Sequence, residues 1–464
     1  MLRKKYEFDK EFNVLIQLTG EMDDSIYIID KLLSDEHLFR LIELDLSKRY
    51  QNTTKTGRKS TPVEVILRML ALKHLRGLSY EKTISTVKES LILRKFCRIY
   101  FHPLPNKSAL IRWSNQICKQ TLEQFNQRLT QIATDLQITK GKKIRTDGTV
   151  VSANIHFPSD NSLLVDGVKV ISRLLLEAKK NLLKNSININ SSIFRNRYRT
   201  ARRFSRQIDS LSKTRNKSGS QKRKQAYSKL IEVTKLSFKQ AKKIITLLKN
   251  INILNLQELL DKFEIFLARI QKVIDQTVRR VLNQEKVPAS EKIVSIFEPH
   301  TDIICRGKVN VDVEFGHKVW LDEVDGGIIS NYRILKGNPH DTQQLIPSLD
   351  QHLENFGSPP KVVTTDRGVY SQSNENYAVG LGVKEIISPK SGYRSKQRIK
   401  HERKRNFKKA RRWHNGVEGR ISFLKRCFGL QRCLYRGYEG FSRWVGWGII
   451  AHNLTIMSRD YIKN

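Results

Sequence analysis

The hydrophobic pattern changes its period repeatedly along the chain. Residues 61–76, PVEVILRMLALKHLRG, place Thr61 as a cap and Pro62 at the first helical position, then repeat apolar residues at helical spacing until Gly77. Leu78-Ser79-Tyr80-Glu81 reads as the capped start of a second helix through about Glu89. A third helix is expected over 107–118, after the Pro103/Pro105 break. Residues 142–152, KKIRTDGTVVS, switch to β-branched alternation around Asp147 and predict a strand. From about 168 to 286 the period is helical again, with Asn216-Lys217-Ser218-Gly219-Ser220 expected to separate two long antiparallel helices. Beyond Pro288, strands are expected at 309–315, 317–324 and 328–335, turned by Gly316 and by Asp325-Gly326-Gly327 as a β-meander. A helix capped by Asp341 or Thr342 follows, with Pro347 either bending it or marking its start. Then come a strand at 361–366, a polar helix near 373–381 and a short strand at 384–388. A helix from about 413 carries the apolar stripe Val417, Ile421, Leu424 and Phe428. The stretch 441–457 suits a buried terminal helix.

This order predicts an α/β fold: a mixed sheet with flanking helices, interrupted by a basic helical insertion and preceded by an all-α, helix-turn-helix-like domain. The boundaries expected are 1–140 for the helical N-terminal domain, 141–167 for the first part of the sheet domain, 168–290 for the insertion and 291–464 for the remainder. The N-terminal helical pattern alone fits a small bundle without groove contact better than a DNA reader, and only the basic charge of the chain brings the two readings level.

Charge decides between broad classes. The 464 residues hold 85 Lys and Arg against 45 Asp and Glu, a formal net charge of +40. Such a surplus points to a polyanionic partner. It is densest at Arg195, Arg197, Arg199, Arg202, Arg203 and Arg206, and again at Lys213, Arg215, Lys217, Lys222, Arg223 and Lys224, where Asp209 is the single acid. No uncharged apolar run is long enough to span a bilayer, so no membrane role is expected. The five cysteines, Cys97, Cys118, Cys305, Cys427 and Cys433, are scattered and form no C-x-x-C pair. A disulfide framework and a zinc knuckle are therefore not expected, and the reduced cytoplasm is the compartment anticipated.

Three acids are candidates for chemistry. Asp147 and Asp366 lie at or just beyond the ends of predicted strands, each followed within two residues by a glycine. Singly, strand-end aspartates more often cap turns. Glu418 lies off the apolar stripe of its helix, with Lys425 seven residues on, His414 four before and Arg411 seven before. A solvated helix ion pair explains that face equally well. Three acids on separate elements of one scaffold also suit phosphodiester chemistry, in which two divalent ions activate the attacking oxygen and stabilise the leaving one. Trp413, Trp444 and Trp447 are read as core.

Three stretches carry a resemblance: TDGTVVSANIHFPSDNSLLVDG around Asp147, VVTTDRGVYS around Asp366, and HNGVEGRISFLKRCFGLQRC around Glu418. Together they resemble bacterial insertion-sequence transposases of the DDE superfamily. The resemblance implies an RNase H-like catalytic domain, with Asp147, Asp366 and Glu418 as the catalytic triad holding two Mg²⁺ (or Mn²⁺) ions. It implies that Lys425 contacts DNA near the reacting end, with Arg411 and His414 on the same face. The stretch TGRKSTPVEVILRMLALKHLRGLSYEKTISTV, followed by LPNKSALIRW, is similar to the helical DNA-binding region of these enzymes, and Lys107 and Arg112 are its candidate contacts. The family pattern often has Tyr and Arg where this chain has Arg411 and His414. The function expected is binding of terminal inverted repeats, metal-dependent DNA cleavage and strand transfer. Double-stranded DNA is the expected partner, and two DNA ends point to a homodimer. The alternative is a non-catalytic nucleic-acid-binding protein or an inactivated copy.

Overall fold

The computed structural model describes residues 1–20, 22–185, 191–213, 216–250, 256–308 and 311–463. They form two compact units, one of residues 1–154 with 304–464, the other of residues 155–303.

The first unit opens with eight helices: α1 (Lys10–Thr19), α2 (Asp24–Leu32), α3 (Glu36–Ser47), α4 (Val63–Leu75), α5 (Tyr80–Glu89), α6 (Leu91–Phe96), α7 (Lys107–Gln116) and α8 (Lys119–Asp135). Their starts follow local chemistry. Asp9, Asp23, Asp35, Ser79, Ser90 and Asn106 each accept a first-turn backbone N–H at their N-caps. Two helices lack such a cap: α8, whose N-cap is Cys118, and α4, where Pro62 itself is the N-cap and Thr61 lies outside the helix. The first two N–H groups of α4 are satisfied from elsewhere, Val63 donating to the Arg3 carbonyl at 2.9 Å and Glu64 to that of Lys4 at 3.1 Å. Nearly all of the helix is buried, Arg68, Lys73 and His74 included.

Lys73 is an instructive case of burial. Its ammonium faces the rings of Tyr80 (4.9 Å), Tyr435 and Trp444 (both 5.1 Å). The rings favour the charged form, but desolvation outweighs them and pulls the amine down to about 8. Lysine in an unfolded chain titrates near 10.4, so the folded chain binds fewer protons between those values and stability rises with pH across that window. Lys73→Met is expected to abolish this rise. Denaturant titrations at pH 7.5 and pH 10 should show wild type gaining about 2 kcal/mol relative to the variant. An equal pH response of the two proteins would exclude Lys73 as its origin.

After α8 the chain enters β1 (Lys143–Ser152). The second unit follows: α9 (Asp160–Lys184), α10 (Tyr198–Leu211), α11 (Lys217–Asn250) and α12 (Gln257–Thr277), with a π-helical turn over Val278–Leu282. Leu164, Ile171, Leu230, Ile244, Phe263 and Ile270 fill its core. On α10, Ala201 and Ile208 face inward while Arg199, Arg202, Arg203 and Arg206 are exposed. Residues 217–220 form the first turn of α11, so the break between the two helices falls before the Ser/Gly patch expected to make it. Arg215 of the basic run lies outside the described residues.

The first unit resumes with β2 (Asp302–Lys308), β3 (Val311–Val324), β4 (Ile329–Ile334), α13 (Leu345–Phe356), β5 (Val362–Thr364), α14 (Gln372–Gly380), β6 (Glu385–Ile387), α15 (Lys396–Arg403), α16 (Arg405–Cys427) and α17 (Gly437–Lys463). The six strands form one sheet in the order β2-β3-β1-β5-β6, with β4 also paired to β3. β1 runs antiparallel to β3 and parallel to β5, and β5 is parallel to β6. This mixed sheet with helices against it is the α/β class expected from sequence.

Two sequence expectations fail here for physical reasons. Gly316 is not a turn: β3 passes straight through it opposite Ser152, and a Cβ there would stand 2.0 Å from the Val151 carbonyl oxygen. The glycine answers a close backbone approach. Neither Asp341 nor Thr342 caps α13: a 3-10 turn over Asp341–Gln343 precedes it and Gln344 is the N-cap. Pro347 then falls in the first turn, where its missing N–H costs nothing, so it need not bend the helix.

Candidate active site

β1 lies at the middle of the sheet, and its alternation sets what each residue meets. Ile144 faces the large core with Trp320 and Val363. Gly148 faces the same way, leaving room for the Trp320 ring, which a Cβ would meet at 3.0 Å. Arg145, Asp147 and Val151 share the opposite face. There the Arg145 guanidinium grips the buried Glu323 carboxylate through two hydrogen bonds, of 2.8 and 2.6 Å. It also donates to the Trp413 carbonyl oxygen and lies 4.8 Å from the Trp413 ring. Gly416 gives it space, since a Cβ there would meet its Nη1 at 2.6 Å. Arg420, one turn on from Gly416, donates to the same Glu323 carboxylate at 3.1 Å. α16 is thus fastened to β1 and β3 by one buried acid and two arginines.

These contacts set the level of each candidate acid. Arg145 meets α16 at Trp413 and Gly416, while Val151 packs in one cluster with Leu424 and Phe428. The helix and the strand therefore advance together. Asp147 is two residues beyond Arg145, about 7 Å of strand, and Glu418 is two beyond Gly416, about 3 Å of helix. Asp147 is half-buried and accepts from the Gly148 backbone N–H at 2.6 Å; Glu418 is exposed.

Asp366 comes from the neighbouring strand. β5 runs parallel to β1, and Asp366 follows two residues after its end as the N-cap of the 3-10 turn Arg367–Val369. Its carboxylate accepts a 3.1 Å hydrogen bond from His414 Nε2, and His414 Nδ1 meets Thr364 Oγ1 at 3.1 Å. This hydrogen bond, aided by the charges of His414 and Arg411, holds the Asp366 carboxyl below its ordinary range against the opposing effect of desolvation. His414 is buried and Arg411 exposed, and both line an open cleft of about 330 Å³ with Asp366, Arg367 and Asn415. α16 begins at Arg405, eight residues before the expected start, so Arg411, His414, Glu418 and Lys425 all ride on one helix. Lys425 is partly exposed.

The fold therefore brings Asp147, Asp366 and the Glu418 helix to one region of one sheet. Carboxylate oxygens are the donor type that Mg²⁺ or Mn²⁺ prefers. Among the described residues, no three His, Cys, Asp or Glu side chains stand close enough together to hold an ion. The donor chemistry fits a hard divalent cation, whereas the closed geometry of a metal cage is not formed.

Lys107 and Arg112 lie apart from this region on α7. Lys107 pairs with Glu81 at 3.1 Å, Arg112 is exposed, and Trp113 is buried in the core. No described helix is long and apolar enough to cross a membrane. Sequence reading missed Arg145, Glu323 and Arg420. The available signal was a cation two residues before Asp147, on the same face of an otherwise apolar strand.

Comparison with known families agrees with this architecture. Residues 15–116 match the family described as Transposase domain (DUF772), and residues 323–454 match Transposase DDE domain. The first match spans α7 with Lys107 and Arg112; the second begins at Glu323 and contains Asp366, Glu418 and Lys425. Asp147 and the second unit lie outside both. No curated protein and no solved structure gives a significant match. A mixed sheet with a DDE transposase domain defines the RNase H-like class of polynucleotidyl transferases. The chain belongs to the insertion-sequence DDE transposases.

Proposed function

We propose that the protein binds the terminal inverted repeats of its element, cleaves DNA there and joins the freed 3′-hydroxyl to a target strand. The observation that carries this reading is the parallel pair β1 and β5, each supplying an aspartate beside the α16 helix that carries Glu418. Asp147, Asp366 and Glu418 are the proposed catalytic residues and would hold the divalent ions that DDE transposases generally use. Two Mg²⁺ or Mn²⁺ ions, when bound, would supply the activation of the attacking oxygen and the neutralisation of the leaving one.

The chain's own residues do the positioning. His414 holds the Asp366 carboxylate ionised and oriented, while Arg411 and Lys425 on the same helix receive DNA phosphates near the reacting end. Residues 1–140 are proposed as the repeat-reading domain, with Lys107 and Arg112 as contacts. Residues 141–154 and 304–464 are proposed as the catalytic domain, and the second unit, 155–303, as a basic insertion that holds duplex DNA without reading it, its ends about 13 residues outside the 168–290 expected from sequence. A homodimer in the cytoplasm, one protomer per element end, completes the proposal.

The test is cleavage of a plasmid carrying the element's own ends. Nicks at the element boundary are expected with Mg²⁺ or Mn²⁺, lost in excess chelator and restored on returning metal. Cleavage that persists in chelator would overturn the metal-dependent mechanism. Repeat binding with no cleavage under any metal would favour a non-catalytic protein.

A further inference from the structure

The N-terminal helices enclose a second feature, distant in sequence from all three acids. Between the residues that follow α3, the segment 58–61 ahead of α4, and α7, there is an open cavity of about 550 Å³. Arg49, Arg58, Lys59 and Arg112 line it, and no carboxylate does. The Arg49 guanidinium lies over the rings of Tyr50 at 4.5 Å and Trp113 at 4.2 Å. Its Nε is buried without a hydrogen-bond partner among the described residues. Pro103, Leu104 and Pro105 supply an apolar wall.

Four cations that pair with no acid among the described residues, at an aromatic and apolar hollow, call for a ligand that is anionic and flat at once. The volume falls in the range of sites for small molecules, roughly 300–1,000 Å³. A base within a duplex is stacked on both faces and cannot enter such a hollow. An unpaired nucleotide can, placing its phosphate among the arginines and its base against the rings and prolines.

We propose that this cavity binds one unpaired nucleotide of the element-end DNA. The inference rests on the DNA-transposase reading above and adds to it a site that recognises strand separation. The cavity would make the helical domain sensitive to whether an end is intact or already opened. Arg49 acts as the stacking platform, and Arg112, exposed on α7, couples the cavity to the helix proposed to face the duplex.

The experiment uses the full chain and two fluorescent duplexes of the element end, one blunt and one bearing a three-nucleotide single-stranded extension containing 2-aminopurine. Wild type is expected to bind the extended duplex about tenfold more tightly than the blunt one. Its 2-aminopurine fluorescence should fall as the base stacks. Arg49→Gln removes the platform, and Ala109→Met fills the cavity from α7 without changing charge. Each should reduce the preference below about threefold, with blunt-duplex affinity as the reference within each protein. A wild type that binds both duplexes equally overturns the cavity proposal and leaves the DNA reading standing. So does an undiminished preference in Ala109→Met. Failure to bind either duplex removes the DNA reading and the cavity with it.

Discussion

Asp147→Asn, Asp366→Asn and Glu418→Gln are each expected to abolish DNA cleavage and strand transfer while leaving end binding largely intact. Each change preserves shape and removes one negative charge from a site whose proposed work is to hold divalent cations. Loss of one carboxylate from a metal-assisted phosphoryl transfer is expected to lower the rate by about 10³-fold or more, because positioning and charge neutralisation supply most of the catalysis. The structure adds a distinction among the three. Asp366 already has a hydrogen-bond donor in His414, so Asp366→Asn also disturbs a buried imidazole. Glu418 is exposed, so Glu418→Gln should be the mildest of the three to the fold. Thermal unfolding run beside the cleavage assay separates chemistry from folding. Asp302→Asn and Glu402→Gln should retain measurable cleavage; a loss as deep as that at Asp366 would show the triad to be misplaced, and normal turnover by any triad variant would remove that residue from it.

The elements that carry these acids were legible because local chemistry fixes them. Alternating β-branched residues around Asp147 specify a strand, and the stripe from Val417 to Phe428 specifies a helix, whatever lies elsewhere in the chain. The start of α16 was not legible, since residues 405–412 are mostly basic and show little apolar periodicity to mark a helix. Gly316 was misread because a glycine between two β-rich runs looks the same whether it turns the chain or lets another strand approach; only the register opposite Ser152 distinguishes them. The contact between His414 and Asp366 spans 48 residues, and that between Arg145 and Glu323 spans 178. No sequence period reports such distances. A charge in the middle of a strand is the trace they leave, and its partner is chosen by strand pairing.

That long-range pair leads to the second large effect. Glu323→Ala is expected to destabilise the protein by about 3–5 kcal/mol, because it leaves Arg145 buried with its charge uncompensated and takes from Arg420 the same acceptor. The Glu323 side chain is only 2% exposed, so solvent screening does little to soften the loss. The damage should not stop at stability. Arg145 also holds the Trp413 carbonyl, so a guanidinium released from Glu323 no longer fixes α16 over β1, and the Glu418 helix loses its seat relative to Asp147. Glu323→Gln separates the two effects, since it retains acceptor geometry on one oxygen and loses the charge. Its unfolding free energy should fall less than that of Glu323→Ala, yet cleavage should still drop well below wild type at temperatures where the variant remains folded. Urea unfolding combined with cleavage rates checks both. If Glu323→Gln cleaved at the wild-type rate, the acid would be a structural anchor with no part in placing α16. If Glu323→Ala were as stable as wild type, the buried pair would contribute nothing that packing could not replace.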